Sequence, residues 1–251
     1  MFEEGARSSC LQEFYTRNSD IITASRTFQL IAVTDSASCP RALPAQVERM
    51  ATCPHKPSKL ILRAKELSPD AYAALAREIL PLCHQHGMEL ILHTHWELTQ
   101  ELGLSSVHMP LPLLAQMPDK ARHSLHISTS VHSASEAEQA LQLGAKALIA
   151  GHIYATSCKA GVPPRGLVFL RSINELCVRH TTPLVSNTPA NLSTASTFSK
   201  MGTIPPIPVY AIGGITPARL AEVCADGAAG ACVMSGLMRG SDWIPGIEKI
   251  C

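Results

Sequence analysis

The sequence has little aromatic content, almost no net charge and no long apolar run. Phe, Trp and Tyr make up 4% of the 251 residues, and only 2 are Trp. Apolar stretches such as Ala147 to Ala150 and Val209 to Ile212 fall far short of the ~20 residues a membrane helix needs, so no membrane contact is expected. The 21 Lys and Arg against 20 Asp and Glu leave a formal charge of +1. These cations are scattered, without the basic stripe that nucleic-acid recognition leaves, and a nucleic-acid partner is not expected. Met1 to Asn18 carries Glu3, Glu4, Arg7 and Glu13 and has no apolar centre. It does not read as a secretory signal, and the expected location is cytoplasmic. No CxxC pair occurs, and the nine cysteines are an odd number spread along the chain. That usage fits free thiols in a reducing compartment better than a disulfide framework.

What is present is a repeat of short apolar segments, each followed by a stretch compatible with a helix. The strand candidates are Gln29 to Thr34, Lys59 to Leu62, Glu89 to Leu92, Ser106 to Met109, Leu125 to Ser128, Ala147 to Ala150, Val209 to Ile212 and Gly230 to Val233. Continuous apolar runs alternating with helices mark βα units with a parallel sheet. Ser68-Pro69-Asp70 ahead of Ala71 to Cys83 supplies a cap and an N-terminal proline, and Ser133 to Leu143 opens on Ser with Glu136 in its first turn; both predict helices. Eight such units in a chain near the ~250 residues of a barrel point to a (β/α)8 TIM barrel, with a doubly wound open sheet as the alternative. The domain division expected is an N-terminal extension over 1–27 and a single barrel over 28–251. Thr182 to Pro206, rich in Ser, Thr, Asn and Pro, reads either as a long loop before the seventh strand or as containing a strand at Pro183 to Ser186. Oligomeric state is not legible, and a homo-oligomer is compatible with the sequence.

In such a barrel the residues that follow the strands line the face where reacting groups gather. These are Arg63 and Lys65 after the second strand, His93 and His95 after the third, Ser130 and His132 after the fifth, and His152, Thr156 and Lys159 after the sixth. The seventh strand ends in Gly213-Gly214-Ile215-Thr216-Pro217, and the eighth in Met234-Ser235-Gly236. Glycines let a backbone approach a ligand closely, and helix starts present unpaired amides. The turns at Gly213, Gly214, Ser235 and Gly236 are therefore the expected phosphate seat, since barrels often hold phosphate with the loops after strands seven and eight. The competing reading is that these glycines only permit tight turns.

Four motifs in order carry a family resemblance. They are Ser130-Val131-His132-Ser133, the stretch from Gly151-His152-Ile153-Tyr154-Ala155-Thr156 through Lys159 to Gly166, Gly213-Gly214-Ile215 after PVYAI, and AAGACVMSG from Ala228 to Gly236. Over about Phe28 to Gly236 the chain resembles the thiamine phosphate synthase and thiazole tautomerase (TenI) family of (β/α)8 barrels. The synthase pattern has a QxRxK strand end, an Asn-Asp after strand three and a Gly-Gln-x-Asp after strand four. Here the matching positions read Ile61-Leu62-Arg63-Ala64-Lys65, His93-Thr94 and Met109-Pro110-Leu111-Pro112. Magnesium prefers hard oxygen ligands, so the loss of both Asp positions argues against Mg2+-dependent coupling of pyrimidine and thiazole phosphates. The chain looks closer to the tautomerase branch, with its apolar residue in place of Gln and its Gly-His-x-[FY]-x-Thr turn.

That resemblance implies an isomerase of thiamine biosynthesis acting on a thiazole phosphate substrate, with no cofactor or metal. A proton leaves ring C2 of a dihydrothiazole and another arrives at the exocyclic carbon, giving the aromatic carboxythiazole phosphate. Imidazole supplies acid and base forms near neutral pH. His132 matches the family's acid/base position, and His152 is either a second proton carrier or a packing residue beneath its loop. Arg63, Lys65, Ser130, Thr156 and Lys159 are the expected substrate-binding residues; for Arg63 an ion-pair role, and for Lys159 a solvated surface role, stand as alternatives. Two other readings remain. In one, His93-Thr94-His95 places both imidazoles on one face and joins His108, His132 and His152 in a zinc-dependent hydrolase. In the other, the barrel binds a phosphate ligand or regulates without turnover.

Overall fold

The computed structural model describes residues 27–181 and 206–239. Strands β1 (Gln29–Val33), β2 (Lys59–Leu62), β3 (Glu89–His93), β4 (Ser106–His108), β5 (His126–Val131), β6 (Ala147–Gly151), β7 (Val209–Ile212) and β8 (Gly230–Val233) close into a barrel in sequence order. All neighbours are parallel, and β1 pairs with β8, Leu30 beside Ala231. That last pairing decides between the two sheet topologies in favour of the (β/α)8 barrel. The expected N-terminal extension, apart from its last residue, and the 182–206 stretch, apart from Pro206, lie outside the described residues, as does the chain after Arg239.

Around the barrel run α1 (Leu43–Ala51), α2 (Pro69–Gln85), α3 (Trp96–Glu101), α4 (Leu111–Gln116), α5 (Asp119–Ser124), α6 (Ala134–Gln142), α7 (Gly166–Thr181), α8 (Leu220–Ala225) and α9 (Ser235–Arg239). The two helices predicted from caps form as expected. The Ser68 hydroxyl accepts from the Ala71 amide ahead of α2, and the Ser133 hydroxyl accepts from the Glu136 amide ahead of α6, each satisfying an amide that the first helical turn leaves unpaired. In α2 the buried positions Tyr72, Ala76, Ile79 and Cys83 recur at helical spacing and seat it on the sheet. No helix of the described residues is long and apolar enough to cross a membrane.

Every strand is buried on both faces. Leu30, Ala32, Leu60 and Leu62 pack outward against the helices, while Ile31, Val33, Ile61, Ile91, Ile149 and Tyr210 fill the barrel. Because side chains alternate along a strand, polar residues two places above or below this apolar layer also point inward. Below it Lys59 pairs with Glu89 at 2.8 Å and the Tyr210 hydroxyl donates to Gln29 Oε1 at 2.7 Å. Above it lie His93, His108 and Ser130, beneath the mouth, while Ser128, two residues before Ser130 on β5, lines the interior with Ile31, Ile61 and Ile149.

Five strands end elsewhere than the sequence reading puts them: β1 and β4 one residue earlier, β3 and β6 one residue later, and β5 three residues later. The polar run Ser128-Thr129-Ser130 looked like the end of the fifth strand, yet β5 continues to Val131. Its hydroxyls find partners inside the fold: Thr129 Oγ1 donates to the Met109 carbonyl at 2.5 Å, and both serines bond to His108. The expectation of free thiols also needs one correction. Cys39, Cys53, Cys83, Cys158, Cys177 and Cys232 are free, but Cys224 is disulfide-bonded.

Candidate active site

His132 stands one residue beyond β5 and is held from two sides. Its backbone amide donates to Glu136 Oε2 at 2.6 Å, and its Nδ1 lies 2.6 Å from the Gly151 carbonyl oxygen. A carbonyl only accepts, so Nδ1 carries the proton and the neutral ring presents Nε2 as a lone pair. Glu136 is the acidic member of the Ser133-x-x-Glu136 capping pattern, and here it reaches one residue further back than the usual cap. The helix start therefore also fixes the imidazole.

Ser130 and His108 meet directly. His108, 5% exposed at the end of β4, bridges two hydroxyls, with Nδ1 at 3.0 Å from Ser128 Oγ and Nε2 at 3.0 Å from Ser130 Oγ. His93 lies beside it, ring centroids 5.4 Å apart. Burial holds the His108 imidazole down to about 3, with the neighbouring His93 as a smaller cause. Burial first, then Lys65 and Arg63, holds His93 down to about 4. Both rings are neutral at ordinary pH, and the influence of Arg63 and Lys65 places those two cations at the same side of the mouth. Lys65 is exposed. Arg63 is half-buried, with Nη1 4.0 Å from Asp35 Oδ1, so the ion-pair alternative has a long, weak partner and the guanidinium keeps donors free for a ligand. Its backbone is fixed by buried Thr34, whose Oγ1 accepts from Arg63 N at 2.7 Å and donates to Arg63 O at 2.8 Å.

The HxH expectation is not met. β3 ends at His93 and Thr94 takes φ 72, so the alternation that would put both imidazoles on one face is broken. His93 turns to His108, whereas His95 stacks on Tyr72, ring centroids 4.0 Å apart. Among the described residues, no group of three His, Cys, Asp or Glu side chains has metal-binding geometry.

His152 is 4% exposed and its Nε2 lies 3.2 Å from the Val162 carbonyl. It ties down the long loop after β6, which agrees with the packing reading rather than with a second proton carrier. Thr156 caps the short 3-10 turn Ser157–Lys159, accepting from the Cys158 amide at 3.4 Å, and Lys159 is exposed at its end.

The Gly213-Gly214 turn explains its glycines by close approach. At φ 96, a Cβ on Gly213 would stand 2.2 Å from His152 Cβ, and at φ 64, one on Gly214 would stand 2.5 Å from the Ala155 carbonyl oxygen. The turn lies flat on the loop after β6, tied by Tyr154 N donating to Gly213 O at 3.0 Å and Arg219 Nη1 to Gly214 O at 2.7 Å. Arg219 also covers the Tyr154 ring at 4.3 Å, and Tyr154 OH donates to Glu222 at 2.8 Å. β7 and β8 pair with Ile212 beside Cys232, so this turn adjoins Ser235 and Gly236 at the start of α9. Packing alone accounts for Gly213 and Gly214, and the phosphate reading of these turns rests on their place at the mouth.

Sequence reasoning missed Glu136 as a positioning group, Asp35 at the rim and the bridging role of His108. Glu136 had a signal in the capping pattern; His108 had one in its inward register on β4.

The profile described as "Thiamine monophosphate synthase" matches residues 30–186 and 177–237. A thiamine-phosphate synthase of Methanoregula boonei is 29% identical over 214 residues, covering 83% of this chain and 85% of its own. One of Listeria welshimeri is 29% identical over 173 residues, 67% and 70% of the two chains. The solved thiamine phosphate pyrophosphorylase of Pyrococcus furiosus superposes with a TM-score of 0.63 at 22% identity over 86% of this chain and 90% of that one, a likeness of fold. With strand order, motif positions and profile in agreement, the chain belongs to the thiamine phosphate synthase/TenI family of (β/α)8 barrels.

Proposed function

We propose that the protein is a thiazole tautomerase-like isomerase, aromatising a carboxythiazole phosphate by proton transfer through His132. The observation that carries this reading is the Nδ1 contact of His132 with Gly151 O, which leaves Nε2 as the basic nitrogen. In this reading Nε2 takes the proton from ring C2 and the resulting imidazolium returns one to the exocyclic carbon, so charge and protons balance without a resident cofactor. Such a transfer contributes typically ~10²- to 10⁴-fold. Arg63, Lys65, Ser130 and Lys159 serve the anionic groups of the substrate, and Gly213, Gly214, Ser235 and Gly236 its phosphate. His152 and Thr156 hold the loop that carries Lys159.

The coupling reaction is the second reading, favoured by the names of the relatives, which are thiamine-phosphate synthases. Against it, β3 and β4 end in His93-Thr94 and His108-Met109-Pro110, which offer no carboxylate to a magnesium ion. The residues present do not fit that metal, and no step is assigned to it.

Purified protein supplied with the dihydrothiazole isomer should convert it to the aromatic ring, followed by exchange of the C2 proton into deuterated water. Rapid coupling of the pyrimidine diphosphate to the thiazole phosphate with Mg2+, without isomerisation, would replace the first reading by the second.

A further inference from the structure

Both carbonyls of the Gly213-Gly214 turn are taken by partners outside it. Tyr154 N donates to Gly213 O at 3.0 Å, and Arg219 Nη1 donates to Gly214 O at 2.7 Å. In a trans peptide the carbonyl and the following amide share one plane and point in opposite directions. Fixing Gly213 O therefore aims the Gly214 N–H away from Tyr154, and fixing Gly214 O aims the Ile215 N–H away from Arg219. The two glycines, at φ 96 and φ 64, could not hold these planes by themselves, because glycine tolerates many backbone conformations.

Arg219 makes two contacts at once. Its guanidinium carbon lies 4.3 Å from the centroid of the Tyr154 ring while Nη1 reaches Gly214 O. A planar guanidinium can stack by its face and donate in its own plane together. The far end of the same ring is held as well, since Tyr154 OH donates to Glu222 Oε2 at 2.8 Å, in the first turn of α8. The loop after β6, which carries Lys159, is thus gripped at Tyr154, and the same guanidinium that covers the ring also fixes the turn. There is no slack between them, because a Cβ on Gly214 would stand 2.5 Å from Ala155 O.

We infer that Arg219 is a positioning residue for the phosphate seat: it aims the Ile215 amide by holding Gly214 O, and it locks the turn to the loop that carries Lys159 by covering Tyr154. It acts through the backbone of the turn and not by touching the anion. An anion on the turn and the cation on the loop then keep a fixed separation. Occupation of the turn steadies the loop and a steadied loop favours occupation, since coupling between two sites is reciprocal. The clamp stands on the contacts named above; that the turn receives phosphate rests on the proposed function.

Amide exchange by NMR on the full chain, with inorganic phosphate as the probe, tests both parts. Arg219→Met keeps an apolar stem over the ring and removes the charge and the donors. In this variant the Tyr154 amide should exchange about tenfold faster, the combined range of a cation–π contact and one hydrogen bond. The Met109 amide, which donates to Ser128 O at 2.8 Å between β4 and β5, should exchange as in wild type. Equal loss of protection at both amides would mean general destabilisation and would overturn the clamp, as would no change at Tyr154. Phosphate, measured by calorimetry, should bind Arg219→Met about tenfold more weakly, the lower range for a bond to a charged group. It should slow Tyr154 exchange in wild type and not in the variant. Arg219→Lys restores the charge and a donor without the flat stacking group, and should fall between wild type and Arg219→Met in both readouts. No recovery by Lys, or full phosphate affinity in Arg219→Met, overturns the positioning role. If wild type binds no phosphate, the seat assigned under the proposed function falls together with the phosphate part of this inference, and Tyr154 exchange decides the clamp.

Discussion

The imidazole of His132 and the carbonyl of Gly151 are joined at 2.6 Å across the gap between two adjacent strand ends. This contact between residues 19 apart in sequence turns a histidine that is otherwise free to adopt either tautomer into one with a defined basic nitrogen. Neighbouring strands make it possible, because β5 and β6 pair with Val131 beside Ala150, which puts the next residues along the two strands, His132 and Gly151, side by side.

His132→Ala is expected to lower isomerisation about 10²- to 10⁴-fold while phosphate still binds. Steady-state turnover together with a thermal shift by inorganic phosphate checks this; turnover at the wild-type rate removes His132 from the reaction.

Glu136→Ala acts through His132. It removes the acceptor of the His132 amide and the acidic group of the first turn of α6. A loss of about 1–2 kcal/mol in stability is expected from the cap and a charge-assisted bond, with a fall in turnover smaller than that of His132→Ala. Urea unfolding and kinetics on one preparation measure both, and an activity loss as deep as that of His132→Ala would give Glu136 a direct part in the chemistry.

The buried histidines set an acid limit. His93 and His108 are held down to about 4 and about 3 in the fold, whereas the same side chains titrate near 6.5 when unfolded. As pH falls below 6.5 the unfolded chain takes up protons that the folded chain refuses, so stability declines with falling pH and recovers as pH rises. Each group contributes a slope of up to about 1.4 kcal/mol per pH unit between its two pKa values. Urea midpoints should drop from pH 7 to pH 5, above the range where most carboxylates titrate. Equal midpoints there would mean that these rings are not buried as neutral species.

Gly213→Ala meets two obstacles, a left-handed backbone and a Cβ 2.2 Å from that of His152. The conformational term is about 1–2 kcal/mol and forced overlap in a packed region adds about 1–3 kcal/mol. Calorimetry should show a clear fall in Tm along with weakened phosphate binding. An unchanged Tm would show that the turn can lift off the loop after β6.

Thr94→Gly is expected to move the other way. A β-branched residue at φ 72 carries strain of about 1–3 kcal/mol, relieved by glycine apart from the greater chain entropy that glycine loses. A modest rise in the urea midpoint is the expected result, and a loss of stability would show that the Thr94 side chain contributes more than its backbone costs.

The parts of the fold that were legible are those where local pattern and tertiary outcome coincide. Lys59–Leu62, Val209–Ile212 and Gly230–Val233 form strands with the bounds read from their apolar runs, because a strand covered on both faces must be apolar throughout. β5 was read short since its last turns of alternation are polar, and the partners that satisfy those hydroxyls come from β4. His93-Thr94-His95 was misread for the opposite reason: alternation predicts a shared face, and a single left-handed residue separates the two rings.

By itself the sequence determined how many βα units there are, which residues reach the strand ends and which motifs they carry, since each of these follows from short-range periodicity and composition. Only the closed barrel decided which nitrogen of His132 is basic, that His152 holds a loop and that His108 spans Ser128 and Ser130. The partners in those contacts are 10 to 22 residues apart. A hydrogen bond depends on distance and angle between groups that sequence separation does not specify, and closure of the sheet is what fixes both.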